Sequence, residues 1–214
     1  QKTIKSNYHV LGAYKSNSIK VNKTKYKNSF LFIAQGIRHW DMRLGISHKL
    51  HHLLASYFLN SNKKFHILLK NKTHIGRKNE IDFYKKFYNS NCIFHKSNSV
   101  EKSYKILDKF ENIIFTNSTL GYEAIARKKK VAVFSVNKDK INKKVFGWPK
   151  KYQKEYDFFS AKNLTYNEVK RVLENVYNCK QENWNRNYYK NIKDIMYFDK
   201  NNYQLKKVIN KILD

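Results

Sequence analysis

Residues 111–136 constrain the fold of this chain more than any other stretch. The apolar run Ile113-Ile114-Phe115 stops at a small polar cluster, Thr116-Asn117-Ser118-Thr119. Residues 120–127 then have helix-forming composition, and Lys128-Lys129-Lys130 turns the chain into a second β-rich run at 131–136. Two strands joined through a helix lie parallel, because a tight hairpin cannot connect them. Ser118 or Thr119 is placed to cap the helix. Its first N–H groups and the positive end of its dipole then point above the strand ends, where an anion such as a phosphate fits.

The same alternation recurs along the chain. The continuous apolar run at 30–34 reads as a buried parallel strand, 65–69 as the next strand and 92–94 as a short one. Between them, apolar residues keep helical spacing. Leu50, Leu53, Leu54, Tyr57 and Phe58 follow Ser47. Ile81, Tyr84, Phe87 and Tyr88 follow an expected cap at Asn79. Tyr104, Leu107 and Phe110 follow Ser99. The expected class is α/β: a doubly wound, parallel, Rossmann-like sheet with helices on both faces. Thr165-Tyr166-Asn167-Glu168 reads as a capping box ahead of Val169, Val172, Leu173 and Val176. Helices around 184–197 and 203–213 complete a helical C-terminal tail. Residues 1–29 are expected to be a linker or edge strand and loop, 30–180 the Rossmann-like domain, and 181–214 helices packing on it.

Charge narrows the partners. Lys+Arg number 44 against 16 Asp+Glu, a formal +28. Such a balance suits nucleic acid or an anionic membrane face. The lysines are spread along the whole chain, however, and Asn, Ile, Phe and Tyr are abundant while Gly (6) and Pro (1) are scarce, as an AT-rich coding sequence would give. Solvated surface therefore accounts for most of the charge. No RNP-like or helix-turn-helix pattern is present, and nucleic acid is not the expected partner. No apolar run approaches the roughly 18 residues of a membrane span. Cys92 and Cys179 form no CxxC pair, so neither a disulfide nor a metal is expected, and a reducing cytoplasm fits. Cys92 is expected to be a small buried residue. The chain opens on Gln1, not Met, and reads as a fragment or trimmed chain.

Ligands of open α/β sheets bind outside the carboxyl ends of the strands. Three loops leave such ends here, at 35–41, 70–78 and 116–119. The second holds Lys70, Lys72, His74 and Arg77. Each residue has a plain reading beside a functional one. Ser118 and Thr119 cap a helix or hold a phosphate. Glu123 offsets the helix dipole or accepts from a ribose diol. Arg38, two residues before Trp40, grips a phosphate, stacks on a base or is a surface cation. His39 and His74 are acid/base groups or exposed polar side chains.

A resemblance favours the functional readings. Residues 117–124 (Asn-Ser-Thr-Leu-Gly-Tyr-Glu-Ala), together with Lys130-Val131-Ala132-Val133-Phe134, resemble O-antigen and other surface-carbohydrate biosynthesis proteins. More distantly they are similar to the C-terminal, nucleotide-sugar-binding half of GT-B glycosyltransferases and to non-hydrolysing UDP-N-acetylglucosamine 2-epimerases. The element Phe146-Gly147-Trp148-Pro149 resembles a downstream Trp-Pro element of the same surface-carbohydrate proteins. Two departures stand out. Those families commonly have Gly where Lys128 stands, and the His-Pro pair of some bacterial sialyltransferases is replaced by Lys70-Asn71-Lys72.

The resemblance implies an enzyme, a GT-B-like glycosyltransferase of surface polysaccharide or lipopolysaccharide synthesis, with this chain as its donor-binding half and incomplete alone. It places the donor's phosphates at Ser118 and Thr119 and the ribose at Glu123; the reading of the residues themselves adds Asn117 and Arg38 as phosphate contacts. His39, Lys70, Lys72 and His74 are further donor contacts. The nucleotide-sugar is a co-substrate, with no other cofactor, and the acceptor is a glycan or a lipid-linked glycan. No catalytic base is assigned. The expected place is the cytoplasm, at the inner face of the membrane where basic groups meet anionic lipid. The alternatives are an epimerase of the same fold and a basic nucleic-acid-binding module.

Overall fold

Among the described residues, six parallel strands form one sheet, ordered β3-β2-β1-β4-β5-β6. They are β1 (Tyr26–Ile33), β2 (Lys64–Leu68), β3 (Cys92–His95), β4 (Phe110–Phe115), β5 (Lys130–Phe134) and β6 (Ser160–Ala161). The computed structural model describes residues 11–35, 46–88, 91–116, 118–134, 158–161 and 163–213. In β1, β2, β4 and β5 the apolar runs are buried on both faces, as a sheet covered on both sides requires. Typical registers are Phe30 beside Phe65, Phe32 beside Ile114, and Ile114 beside Ala132.

The helices are α1 (Tyr14–Ser18), α2 (Ile46–Leu59), α3 (His74–Tyr88), α4 (Val100–Asp108), α5 (Thr119–Ala126) and α6 (Tyr166–Asn178). A C-terminal series follows: α7 (Gln181–Trp184), α8 (Lys190–Ile192) and α9 (Tyr203–Leu213), with a π-turn at Asn185–Tyr189. On one face α2 packs against α3 and α6. Right-handed crossovers put α4 and α5 on the other. The fold is the expected doubly wound parallel sheet with a helical tail.

Local chemistry explains most boundaries. Ser99 accepts from Lys102 N at 3.1 Å and starts α4, and Thr165 accepts from Glu168 N at 3.3 Å and starts α6. Lys130 is almost fully buried. Its Nζ donates to the carbonyls of Cys179 (2.7 Å) and Tyr177 (3.3 Å) just beyond and at the end of α6, and pairs with Glu111 at 2.8 Å. His51, packed among Phe32, Phe83 and Tyr84, has its Nδ1 2.7 Å from the Tyr88 hydroxyl, and burial pushes its pKa down to about 3, so it sits neutral in the core.

Several expectations need correction. β1 begins at Tyr26, not at residue 30, and residues 14–18 are helical, not loop. The early part of β1 is exposed and lacks the apolar signature. It is held instead by Asn112 of β4, whose Nδ2 donates to Lys27 O (3.0 Å) and Ser29 O (3.2 Å) where the β1–β4 register shifts. Helix α3 starts at His74, so Asn79 is not its cap; Thr73 Oγ1 accepts from Gly76 N at 3.1 Å and does that work. Cys92 is half-buried and not fully enclosed. The element at 146–149 lies outside the described residues.

The departure at Lys128 has a structural cost. Lys129 N donates to Ala124 O (3.0 Å) and Lys128 N to Ile125 O (2.9 Å), the paired closure that ends a helix with one left-handed residue. Lys128 supplies that residue, at φ 61°. A non-glycine side chain there costs about 1–2 kcal/mol. Against this stands one weak contact, Lys128 Nζ 5.9 Å from the centre of the Tyr189 ring. Lys128→Gly is therefore expected to raise the unfolding free energy by about 1 kcal/mol in urea titration. An unchanged or lowered midpoint would show that the ring contact outweighs the strain.

Candidate functional site

The strand order reverses between β1 and β4, so a crevice opens where the chain leaves these two neighbours in opposite directions. At the end of β4, Thr116 is buried, Ser118 takes the N-cap position of α5 and Thr119 opens the helix, exposed. Ser118 has extended backbone (φ −125°, ψ 127°), and its carbonyl accepts from Gly121 N (2.9 Å) and Tyr122 N (3.2 Å). Its side chain makes no capping bond. The helix therefore starts without spending the Ser118 hydroxyl, and the N–H groups of Thr119 and Leu120 precede any intrahelical carbonyl.

Glu123 lies one turn further along and is only 7% exposed. Its Oε2 accepts from the Tyr104 hydroxyl of α4 at 2.8 Å. Burial raises its pKa, opposed by that hydrogen bond and by Arg127. The carboxylate is thus fixed between two helices by a partner 19 residues back, which no local pattern announces.

Across the crevice, Lys70 Nζ reaches from the end of β2 to Gln35 O just beyond β1, at 3.1 Å. The loop after β2 is shaped by Glu80, which is fully buried and accepts from Lys70 N (3.0 Å), Asn71 N (2.9 Å) and Asn71 Nδ2 (3.0 Å). Arg77 turns away from any ligand role: it donates to Asn71 O (3.1 Å), Ser97 O (3.0 Å) and Asn98 Oδ1, tying this loop to the one after β3. Lys72 and His74 remain exposed on the rim. Sequence reasoning missed Glu80. Its signal was slight, an acidic residue in the second turn of an amphipathic helix just after a polar loop.

Ser118, Thr119 and Glu123 thus share one helix, and Lys70, Lys72 and His74 share the neighbouring loop. Arg38, His39 and Asn117 lie outside the described residues. Such an arrangement offers hydroxyls, backbone N–H groups and ammonium groups to an anion above the strand ends.

No curated protein matches the sequence. Among solved structures the chain is similar to TarM, at 17% identity and TM-score 0.48, covering 91% of this chain and 37% of that one. It is similar to the C-terminal domain of a glycosyl transferase group 1 family protein, LpcC, from Francisella tularensis, at 10% identity and TM-score 0.48, covering 86% and 91%. The pneumococcal O-GlcNAc transferase GtfA, solved with UDP and GlcNAc, gives 12% identity and TM-score 0.43, covering 92% and 38%. The chain spans little more than a third of TarM and of GtfA. Residues 40–213, most of the chain, match the family described as "putative O-antigen biosynthesis protein". By the extent of that match, the chain belongs to this O-antigen biosynthesis family.

Proposed function

We propose that this chain is the donor-binding half of a GT-B-like glycosyltransferase that builds surface polysaccharide or lipopolysaccharide from a nucleotide-sugar. The observation that carries the reading is the start of α5 at the switch point, where the Ser118 hydroxyl is not used to cap its own helix. In this reading Ser118, Thr119 and the first N–H groups of α5 hold the donor's phosphates, with Asn117 and Arg38 alongside. Glu123, oriented by Tyr104, accepts from the ribose. Lys70, Lys72, His74 and His39 surround the leaving phosphate with positive charge and donors, which lowers the barrier without a metal or other cofactor. Membership of an O-antigen family supports a carbohydrate product. The acceptor is a glycan or a lipid-linked glycan, and the catalytic base comes from a second half facing this cleft.

Calorimetric titration with UDP, CMP and their 2′-deoxy analogues tests the assignment. Ser118→Ala should weaken nucleotides while leaving a free nucleoside unaffected. Glu123→Gln should weaken ribonucleotides by about 2 kcal/mol, roughly thirtyfold in Kd, and deoxy analogues much less. A Glu123→Gln protein that melts earlier, having lost the charged acceptor of Tyr104, yet keeps the wild-type ribo/deoxy ratio would remove the ribose role. Salt-steep RNA binding with no response to any nucleotide would overturn the whole reading in favour of a basic nucleic-acid module.

A further inference from the structure

Helix α9 closes the described chain with an apolar face that is covered only in part: Leu205 and Val208 are half-buried, and Ile209, Ile212 and Leu213 are exposed. Leu205, Val208, Ile209 and Ile212 recur at offsets of three, four and seven, one stripe of a helix, and Leu213 widens it. No residue of α9 is buried; Ile212 is 76% and Leu213 78% exposed. The rest of the surface carries Lys206, Lys207 and Lys211, and the helix contains no acidic residue. Its start is well anchored: Gln204 N donates to Asp199 Oδ2 at 2.8 Å, and Asn202 Nδ2 donates to Tyr14 O (3.1 Å) and Ser18 Oγ (2.7 Å). The same corner exposes three aromatic rings, Tyr14, Tyr197 and Tyr203.

We propose that α9 and this tyrosine corner dock the protein on an anionic lipid surface, the apolar stripe lying at the headgroup level and the lysines meeting phosphate. Charge selects this occupant over a second copy. A two-fold contact through α9 would set lysine against lysine in a chain of formal charge +28, whereas an anionic leaflet complements both. Exposed tyrosines suit the water–lipid boundary, with an apolar body and a polar tip. Among the described residues no helix is long and apolar enough to cross a membrane, so the contact is peripheral. The corner also lies at the far end of the sheet from the candidate site: Arg127 Nη1 donates to Ser16 O of α1 at 3.1 Å, just before β5 begins. Lipid contact there leaves the strand carboxyl ends open.

Flotation of the full chain with phosphatidylcholine vesicles, with and without phosphatidylglycerol, tests this. The wild-type chain should float with anionic vesicles only. Ile209→Ser combined with Ile212→Ser, and separately Lys206→Gln, Lys207→Gln and Lys211→Gln combined, should each lower the bound fraction about tenfold or more. Lys85→Gln with Lys86→Gln, on α3, should leave it unchanged. All these positions are exposed, and circular dichroism checks that the fold is kept. Equal flotation with neutral vesicles, no flotation, or wild-type flotation of the Ile209/Ile212 variant would each overturn the proposal. So would a light-scattering result in which that variant loses only a dimer, since the face would then join two copies.

Discussion

Arg127→Ala is expected to lower the unfolding free energy by about 3–5 kcal/mol, the cost of breaking a buried ion pair from one side. The Arg127 and Asp108 side chains are both fully enclosed, and the pair is two-pronged: Nε to Oδ1 at 2.8 Å and Nη2 to Oδ2 at 2.6 Å. The guanidinium spends its remaining donors on the N-terminal segment, reaching Ser16 O and Ile19 O at 3.1 Å and Lys20 O at 3.3 Å. The rings of Tyr104 and Phe198 flank it at 5.1 and 5.4 Å. One side chain therefore joins the ends of α4 and α5 to α1. Truncating it leaves the Asp108 carboxylate buried with the Asn22 N–H at 3.0 Å as a remaining donor, and takes the arginine donors from the carbonyls of Ile19 and Lys20, while Ser16 O keeps the Ile19 N–H at 3.2 Å. Arg127→Lys should also be costly, because a single ammonium cannot replace the planar fork. For a domain of this size the Ala variant should melt roughly 10 °C lower. A urea midpoint corresponding to under about 1 kcal/mol of loss would mean that the N-terminal segment holds without this tie.

This tie also explains what was legible in the sequence and what was not. The runs that became β1, β2, β4 and β5 could be read because a parallel strand covered on both faces is mostly apolar, a property of the segment alone, even with His66, Asn112 and Lys130 inside three of them. Ser99 and Thr165 could be read because capping is settled within four residues. α1 could not: its five residues, Tyr-Lys-Ser-Asn-Ser, carry no apolar period, and the helix is held by an arginine 111 positions away. The exposed first half of β1 was hidden for the same reason, since Asn112 supports it from a strand more than 80 residues later.

The candidate site divides along the same line. Ser118 and Thr119 were visible as the junction of an apolar strand and a helix. The environment of Glu123 was not, because Tyr104 arrives from a neighbouring helix. Glu80 looks like any surface acid in a lysine-rich chain until the fold brings the N–H groups of Lys70 and Asn71 to it. Arg77 showed the reverse: read as a cation for a ligand, it is occupied by the protein's own carbonyls.

Gly121→Ala should be nearly as damaging as the loss of Arg127, and it reaches the site as well. In a bare helix the change would help, since Ala is favoured over Gly by about 1 kcal/mol. Here α5 lies directly on the Phe115 ring of β4. A Cβ at Gly121 would stand 2.3 Å from Cγ and Cδ2 of that ring and 2.8 Å from Cδ1. Phe115 is fully buried and has Tyr122 edge-on at 5.4 Å, so the ring has no free direction in which to yield. Overpacking of this kind costs about 1–3 kcal/mol and occasionally more, and the severity of the overlap points to about 3 kcal/mol net of the helix gain. The alternative to a lasting clash is for α5 to lift off β4 by an ångström or so. That would move Ser118 and the first N–H groups of the helix, so nucleotide affinity should fall with stability. Phe115→Ala in the same chain removes all three overlapping atoms, so Gly121→Ala should cost much less in that background than in the wild type, a coupling that a double-mutant cycle reads directly. Gly76→Ala is the control: its nearest obstacle is the Thr73 hydroxyl at 2.8 Å on an exposed turn, and its cost should be smaller. A Gly121→Ala protein as stable as wild type would mean that α5 does not rest on Phe115, and the position assigned to the phosphate-binding end of that helix would fall with it.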